Sequence, residues 1–347
     1  MDAKIPQAQR SAALLLIALL LIIPAADSAP RRRRRRLDPG LLSAEQNRRV
    51  ITVSKDGRGN FRTIKEAIRS IPRGNTRRVI VKIGPGVYRE KIPVHASKPY
   101  VTFYGQPRAM PTISYGATAD SKNGTWRSAT VAVESDYFVA ANIIFENTAP
   151  RPRAGMDNAQ AVAMRISGDK AAFFNCKFHG FQDTLCDDRG RHFFKDCFIR
   201  GTVDFIFGYG RSLYKNCEIE TVAEGVTYIT AQGRNTSDDH GGFSFVDCKI
   251  TGTGSAYLGR AWKDMSRVVF ARTYMGKHVD PRGWDDKGNP ARQKTVFFGE
   301  YKCRGPGAVR NRRVSYGKEL NDEQAKRFLT TRFVQGRTWL LPPPTLI

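Results

Sequence analysis

FFNCKF (173–178), FKDCFI (194–199), YKNCEI (214–219) and FVDCKI (245–250) are four versions of one short phrase. In each, an Asn or Asp precedes a cysteine and an apolar residue follows two positions after it; the cysteines are 21, 20 and 31 residues apart. Self-similarity near 20 residues, in segments rich in Phe, Val and Ile, predicts a solenoid with a short alternating strand in every unit. The longer interval is consistent with one inserted loop. Leucine-rich repeats share the period, but their leucine consensus is missing, which leaves a parallel β-helix. Equivalent residues of successive turns in such a coil stack about 4.8 Å apart. Cys176, Cys197, Cys217 and Cys248 then read as an inward ladder of free thiols, small and apolar, because stacked rungs are poorly placed for disulfide geometry. Cys186 and Cys303 fall outside the pattern.

The same period links two other stretches, GFQDTL (180–185) and GTVDFIFG (201–208), each with one aspartate in an otherwise uncharged run. Asp183 and Asp204 are 21 residues apart, one turn of the coil, so the register of Cys176 and Cys197 brings their carboxylates together on neighbouring rungs. Two carboxylates that close cannot ionise independently, and such a pair supplies a proton donor beside an anionic base or nucleophile. The competing reading is structural, with both aspartates capping turns between rungs. Neighbours favour chemistry. Gln182 adjoins Asp183, and Gln160 in QAVAMR (160–165) lies 22 residues earlier, about one turn. Two amides beside two carboxylates are suited to hold an oxyanion. YLGRAWK (257–263) adds Arg260, able to aim a carboxylate through a bidentate contact, and Trp262, a flat apolar face for a sugar ring. Taken singly, a surface salt bridge would account for Arg260 and core packing for Trp262.

Together with GVYRE (86–90), VFFGEYKCRGPGA (296–308) and GRTWL (336–340), these motifs resemble those of the pectinesterases, the pectin methylesterase family of plants and microbes, over nearly all of residues 50 to 341. The resemblance implies an all-β fold, a right-handed parallel β-helix with short capping helices. It implies a carboxylic ester hydrolase acting on methyl-esterified homogalacturonan, with Asp204 as nucleophile, Asp183 as proton donor and then base, Gln160 and Gln182 as oxyanion donors, and Arg260 orienting Asp204. Substrate would touch Gln160, Arg260, Trp262 and Thr125, the last in NGTWRSAT (123–130). No cofactor and no metal is expected. Besides the polysaccharide, the resemblance leaves room for a proteinaceous pectinesterase inhibitor, and for a monomer that binds no nucleic acid. Three residues depart from the usual pattern: Cys186 where tyrosine is commoner, Ala261 for the proline of LGRPW, and Tyr209 where asparagine is frequent. They bear on groove shape and rate more than on reaction type.

Outside the motifs, residues 1–29 have the layout of a signal peptide: Lys4 and Arg10, an apolar run from Ala12 to Ile23, then small residues. Twelve apolar residues are short of the roughly 20 that span a bilayer, and no later segment qualifies. Residues 30–49, with Arg31 to Arg36, read as an Arg-rich disordered linker, residues 50–341 as the catalytic domain, and 342–347 as a tail. The inhibitor-like pro-region of many plant members is expected to be absent. A net charge of +25 favours a polyanionic partner, and secretion to the cell wall makes that an acidic polysaccharide. Sequons at Asn123 and Asn235 are compatible with that route. FRTIKEAIRSI (61–71) reads as an amphipathic helix covering the N-terminal end of the coil, and Asn321 as the N-cap of a helix through DEQAKRFL.

Rival readings are a β-helix polygalacturonase, which would release reducing ends, and a weakly active or inactive basic protein that binds pectin in the wall. A lyase would want a calcium site, and no suitable acidic cluster is evident.

Overall fold

The computed structural model describes residues 37–119, 124–153, 155–343 and 345. The signal peptide, the arginine run and Asn123 of the first sequon lie outside these residues. Within them the chain winds as a parallel β-helix with three strands per turn. One sheet has eleven strands, from Arg49–Val53 to Gly317–Glu319, and every pairing in it is parallel. The other two faces run side by side and are joined where the long strands Glu218–Gln232 and Lys249–Arg260 pass without a break from one to the other.

The period is visible in the pairing register. Ala171 pairs with His192, Lys177 with Phe198 and Leu185 with Ile206, a shift of 21 on all three faces. The shift becomes 20 at Arg191–Arg211 and 31 at Arg211–Gly242. The extra residues of that last turn lie in an irregularity between Val222 and Val226 and in the connection from Gly233 to Gly241.

The recurring phrase marks the corner between the first and second faces. Asn175, Asp196, Asn216 and Asp247 have φ of 47, 55, 54 and 58°. The corner requires a left-handed residue, and Asn and Asp tolerate that conformation best after glycine. The cysteine that follows points inward; Cys176, Cys197, Cys217 and Cys248 are buried and all six cysteines are free. Each thiol from Cys197 onward faces a backbone carbonyl of the preceding turn: Cys197 that of Phe173 at 3.6 Å, Cys217 that of Phe194 at 3.7 Å and Cys248 that of Tyr214 at 3.5 Å. Cys303 continues the ladder, with Sγ 3.3 Å from the Phe270 carbonyl, and its corner residue is Lys302 at φ 48°. Beside the thiols runs a stack of rings, Phe173, Phe194, Tyr214, Phe245 and Phe270, with centroids 4.5–4.7 Å apart and planes within 15°. That is the strand spacing expressed in side chains. Removing one such buried ring typically costs about 3–5 kcal/mol.

The helix expected over 61–71 is shorter, Ile64–Arg69, because Thr63 and Glu66 close a capping box that fixes its start. Ile64, Ala67 and Ile68 join the central core at its N-terminal end. Asn321 caps Asp322–Lys326 as expected, again with a capping box, but the helix stops at residue 326 instead of 329. It lies against the outer surface of the eleven-stranded sheet, where Ala325, Phe328, Phe333 and Trp339 form a second apolar cluster with Leu213, Val246 and Val269. Part of the expected disordered linker is ordered: Pro39–Gln46 is a helix that buries Leu41 and Ala44. Asp38, just before it, pairs with Lys170 and accepts the Tyr137 hydroxyl. The two buried apolar side chains act together with the Asp38–Lys170 and Glu45–Arg78 ion pairs to fasten this segment. Among the described residues no helix is long and apolar enough to cross a membrane.

Candidate active site

The third face carries the site on its outer side. Its strands Met164–Ile166, Leu185–Asp187, Ile206–Gly208 and the end of Glu218–Gln232 stack so that Met164, Leu185, Ile206 and Thr230 share one inward column. Residues one place on form the outward column Arg165, Cys186, Phe207, Ala231, Arg260 and Asp285. Asp183 and Asp204 stand two residues before Leu185 and Ile206, at the corner leading into the strands. The Asp183 amide donates to the Val203 carbonyl at 3.1 Å, and the Asp204 amide to that of Tyr228 at 2.9 Å. Both have left-handed backbones, φ 63° and 51°. The turn-forming reading of these aspartates is therefore correct for their backbones, and it leaves their carboxyl groups free for another role.

Those groups differ in company. Asp204 is 4% exposed and is gripped by Arg260 in two hydrogen bonds, Nε to Oδ1 at 2.8 Å and Nη2 to Oδ2. The guanidinium is itself held between the Tyr228 and Trp262 rings, 4.7 and 5.6 Å from their centroids. Asp183, 8% exposed, has no hydrogen-bond or ion-pair partner for its carboxyl among the described residues. Burial, and then the neighbouring Asp204 charge, push Asp183 well above the ordinary carboxylate range, against a smaller pull from Arg260. Burial raises Asp204 too, but the Arg260 hydrogen bonds and charge act against the rise. Of the two, Asp183 is the one pushed further toward its protonated form.

Gln182 and Gln160 flank the pair. The Ala161 amide donates to the Gln182 carbonyl at 3.1 Å, so Ala161 is the residue opposite Gln182 and Gln160 stands one place earlier than a strict turn would put it. Both glutamines nevertheless reach the same cavity, and their side-chain amides have no hydrogen-bond partner among the described residues. That cavity, about 350 Å³, is lined by all seven residues expected from the sequence: Thr125, Gln160, Gln182, Asp183, Asp204, Arg260 and Trp262. Trp262 is 37% exposed, with Lys287 Nζ 3.3 Å from its ring centre, so it is rim rather than core.

Sequence reasoning missed Trp126, Phe207 and Asp188, which line the cavity too. Phe207 was accessible from the register, being Cys186 carried forward one turn of 21; Trp126 comes from a connecting segment outside the repeat, where no period operates. Of the three departures, Cys186 forms part of the cavity wall and is 1% exposed, its thiol raised well above its ordinary range by burial. Tyr209 is a 39% exposed rim residue whose ring lies over Gly233, where a Cβ would come within 2.8 Å of it. Ala261 is buried behind the site and its amide donates to the Asp285 carbonyl at 2.9 Å, a bond proline lacks the hydrogen to make. Among the described residues no three His, Cys, Asp or Glu side chains gather as metal ligands.

Carboxylate, carboxylic acid, paired amides and an aiming guanidinium around one cavity constitute equipment for acyl transfer. Known proteins carry the same frame. The Pectinesterase family profile matches residues 50–337. Putative pectinesterase 63 of Arabidopsis thaliana is 53% identical over 294 residues, 84% of this chain and 87% of that one. The solved pectin methylesterase from carrot superposes with a TM-score of 0.78 at 33% identity, over 84% of this chain and 94% of the other. A pectin methylesterase solved in complex with a hexasaccharide gives 0.72 at 28% identity, over 84% and 98%. The winding is accordingly the right-handed parallel β-helix of those structures. A profile spanning most of the sequence and a relative sharing more than half of the aligned residues carry one conclusion: this chain belongs to the pectinesterase family.

Proposed function

We infer that the chain hydrolyses methyl esters of homogalacturonan through a covalent intermediate on Asp204. The observation that carries this reading is the asymmetry of the buried pair: Asp204 held by Arg260, Asp183 unpartnered, and two free glutamine amides in the same cavity. The ionised Asp204 attacks the ester carbonyl carbon, and Gln160 and Gln182 donate to the oxygen that becomes negative. One such donor typically lowers the barrier by about 2.7–4 kcal/mol. Collapse breaks the bond to the methoxy oxygen, which takes the Asp183 proton and leaves as methanol. A water molecule then adds to the acyl group while Asp183, now a carboxylate, removes its proton. Scission of the bond to Asp204 regenerates the nucleophile and leaves a free carboxyl on the sugar.

Hydrolysis of the glycosidic bond by the same carboxylates is the rival. A glycosidase has no comparable oxyanion, so the paired amides favour the ester. Thr125, Trp126 and Trp262 are suited to seat sugar rings along the cavity rim. Secretion into the cell wall, a monomeric state and docking of a proteinaceous inhibitor over the groove belong to the same reading. Methanol and reducing ends measured side by side on methylated pectin test it. Methanol without new reducing ends is expected; reducing ends without methanol would overturn the assignment.

A further inference from the structure

We propose that a second groove, on the outer surface of the eleven-stranded sheet, binds the carboxylate-rich form of the polysaccharide, de-esterified galacturonan. The groove measures about 740 Å³ and shares no lining residue with the catalytic cavity. Its walls are Arg211, Arg267, Arg327 and Arg332, over the rings of Phe297 and Phe333.

Four guanidinium groups in one depression need anions, and the chain supplies almost none. Among the described residues none of the four takes part in an ion pair. The acidic residue in the lining, Glu323, is engaged by Lys326 at 3.6 Å. The Nε atoms of Arg211 and Arg267 are shielded from solvent and have no hydrogen-bond acceptor. Burial, followed by repulsion from Arg234, Arg327 and Arg211, pushes Arg267 down to about 10; burial and the charge of Arg191 lower Arg211. A bound anion would relieve both effects.

The backbone arranges this concentration of charge. Arg211 pairs with Gly242, and Gly242 precedes the residue that pairs with Val268, so Arg211, Gly242 and Arg267 occupy one column on successive rungs. A Cβ on Gly242 would come within 2.8 Å of the Arg267 side chain, so the glycine is what lets Arg267 lie back along the column toward Arg211. Two rungs separate the backbones of the two arginines by roughly 10 Å. Arg211 stacks on Phe333 at 5.3 Å, and Arg327 on Phe297 and Phe328 at 5.4 and 4.8 Å, so the forks are held by flat rings while their donors remain free. Planar forks with open donors match carboxylates bidentately. A concave groove favours a single acidic polymer strand over a flat lipid surface or a duplex. The identity of that polymer rests on the activity proposed above, whose product is such a strand; the groove itself does not.

Binding of the full chain to de-esterified polygalacturonate is the test, with R211Q/R327Q and the wholly surface pair R327Q/R332Q against R108Q/K277Q, which removes the same charge elsewhere. Either groove pair is expected to weaken binding about tenfold, equivalent to about 1.4 kcal/mol, and the control pair less than about twofold. Methanol release from a short methylated oligomer should be unchanged in all three. Equal weakening by groove and control pairs, or no binding by the unmodified chain, overturns the proposal. So does loss of binding to DNA or to phosphatidylserine vesicles with polygalacturonate binding retained. If the unmodified chain releases no methanol while the groove pairs still lose polygalacturonate, the catalytic reading fails and the groove stands.

Discussion

Asp183 and Asp187 are four residues apart on one turn of the coil, both buried, and their carboxyl oxygens meet opposite surroundings. Asp187 is fully enclosed: one oxygen lies 2.6 Å from His192 Nδ1 and the other accepts the Tyr214 hydroxyl at 2.5 Å. The second ring nitrogen of His192 faces the Gly168 carbonyl at 2.9 Å. Both nitrogens point at oxygens, an arrangement that favours the imidazolium. A Cβ at Gly210 would come within 2.0 Å of the Asp187 carboxylate, so the enclosure needs a glycine there. Asp183 opens onto the cavity with no partner for its carboxyl among the described residues. A buried acid with both oxygens answered holds a fold together. One left unanswered, beside a cation that serves its neighbour, is available to a substrate.

Exchanging the properties of the two clusters should therefore damage different things. The largest effect is expected at Asp204: D204N should reduce methanol release by about four orders of magnitude, while circular dichroism and melting stay near the unmodified protein. Asn tolerates φ near 51°, so the backbone gives no reason to unfold. Turnover within tenfold of normal would remove the nucleophile.

At Asp187 the reverse is expected. D187N leaves a buried imidazolium without its counter-charge and should lower unfolding free energy by about 3–5 kcal/mol. The pH dependence has a definite sign. The folded-state pKa of His192 is raised: burial opposes the rise, but the Asp187 charge and hydrogen bond, with the Gly168 carbonyl, outweigh it. Its contribution to stability is thus fully present below the ordinary histidine value near 6.5 and is lost as pH rises through the folded value. Denaturant titrations of H192N should differ most from the unmodified chain at acid pH. An equal difference at all pH values would mean the ring is neutral.

Each glutamine is worth less than the nucleophile. Q160A or Q182A should cost about 2.7–4 kcal/mol in barrier, read as a fall in kcat. Loss confined to KM would make them binding groups. The pH profile sharpens the same contrast, because the proposed mechanism requires Asp183 protonated to expel methanol and Asp204 ionised to attack. Activity should fall on the alkaline side as Asp183 loses its proton, and on the acid side as Asp204 gains one. The alkaline limb should disappear in no variant that keeps Asp183. The smallest change to the chemistry is expected at the cavity wall: C186Y, which places the commoner but much larger residue at a position 1% exposed, should cost about 1–3 kcal/mol of stability by overpacking and leave the pH limbs in place.

How much of this was legible in the sequence follows from where repetition operates. Cys176, Cys197, Cys217 and Cys248 announced the turn because a left-handed corner and an inward small residue are needed once per winding, and Asn-Cys or Asp-Cys satisfies both. Cys303 escaped because its corner is Lys302, and the intervening corner is Arg272, which instead grips Asp247 at 2.6 and 2.9 Å. The juxtaposition of Asp183 and Asp204 followed from the same period. Gln160 came within one residue of its true register, since the connections between strands need not keep step with the strands themselves. Trp126 and the helix at Pro39–Gln46 had no period to reveal them, and the guanidinium groove depends on a C-terminal segment folding back across a sheet, which local patterns do not encode.

The left-handed backbone at positions 183 and 204 narrows what those sites can become. Alanine or valine there would be punished by the peptide geometry before any chemistry was tested, whereas asparagine and glycine would pass unnoticed by the winding. A lineage drifting from enzyme toward inert wall protein thus has a short, predictable exit: one carboxylate to amide change, silent to architecture. Descendants that have lost hydrolysis should carry Asn or Gly at these corners far more often than any other residue.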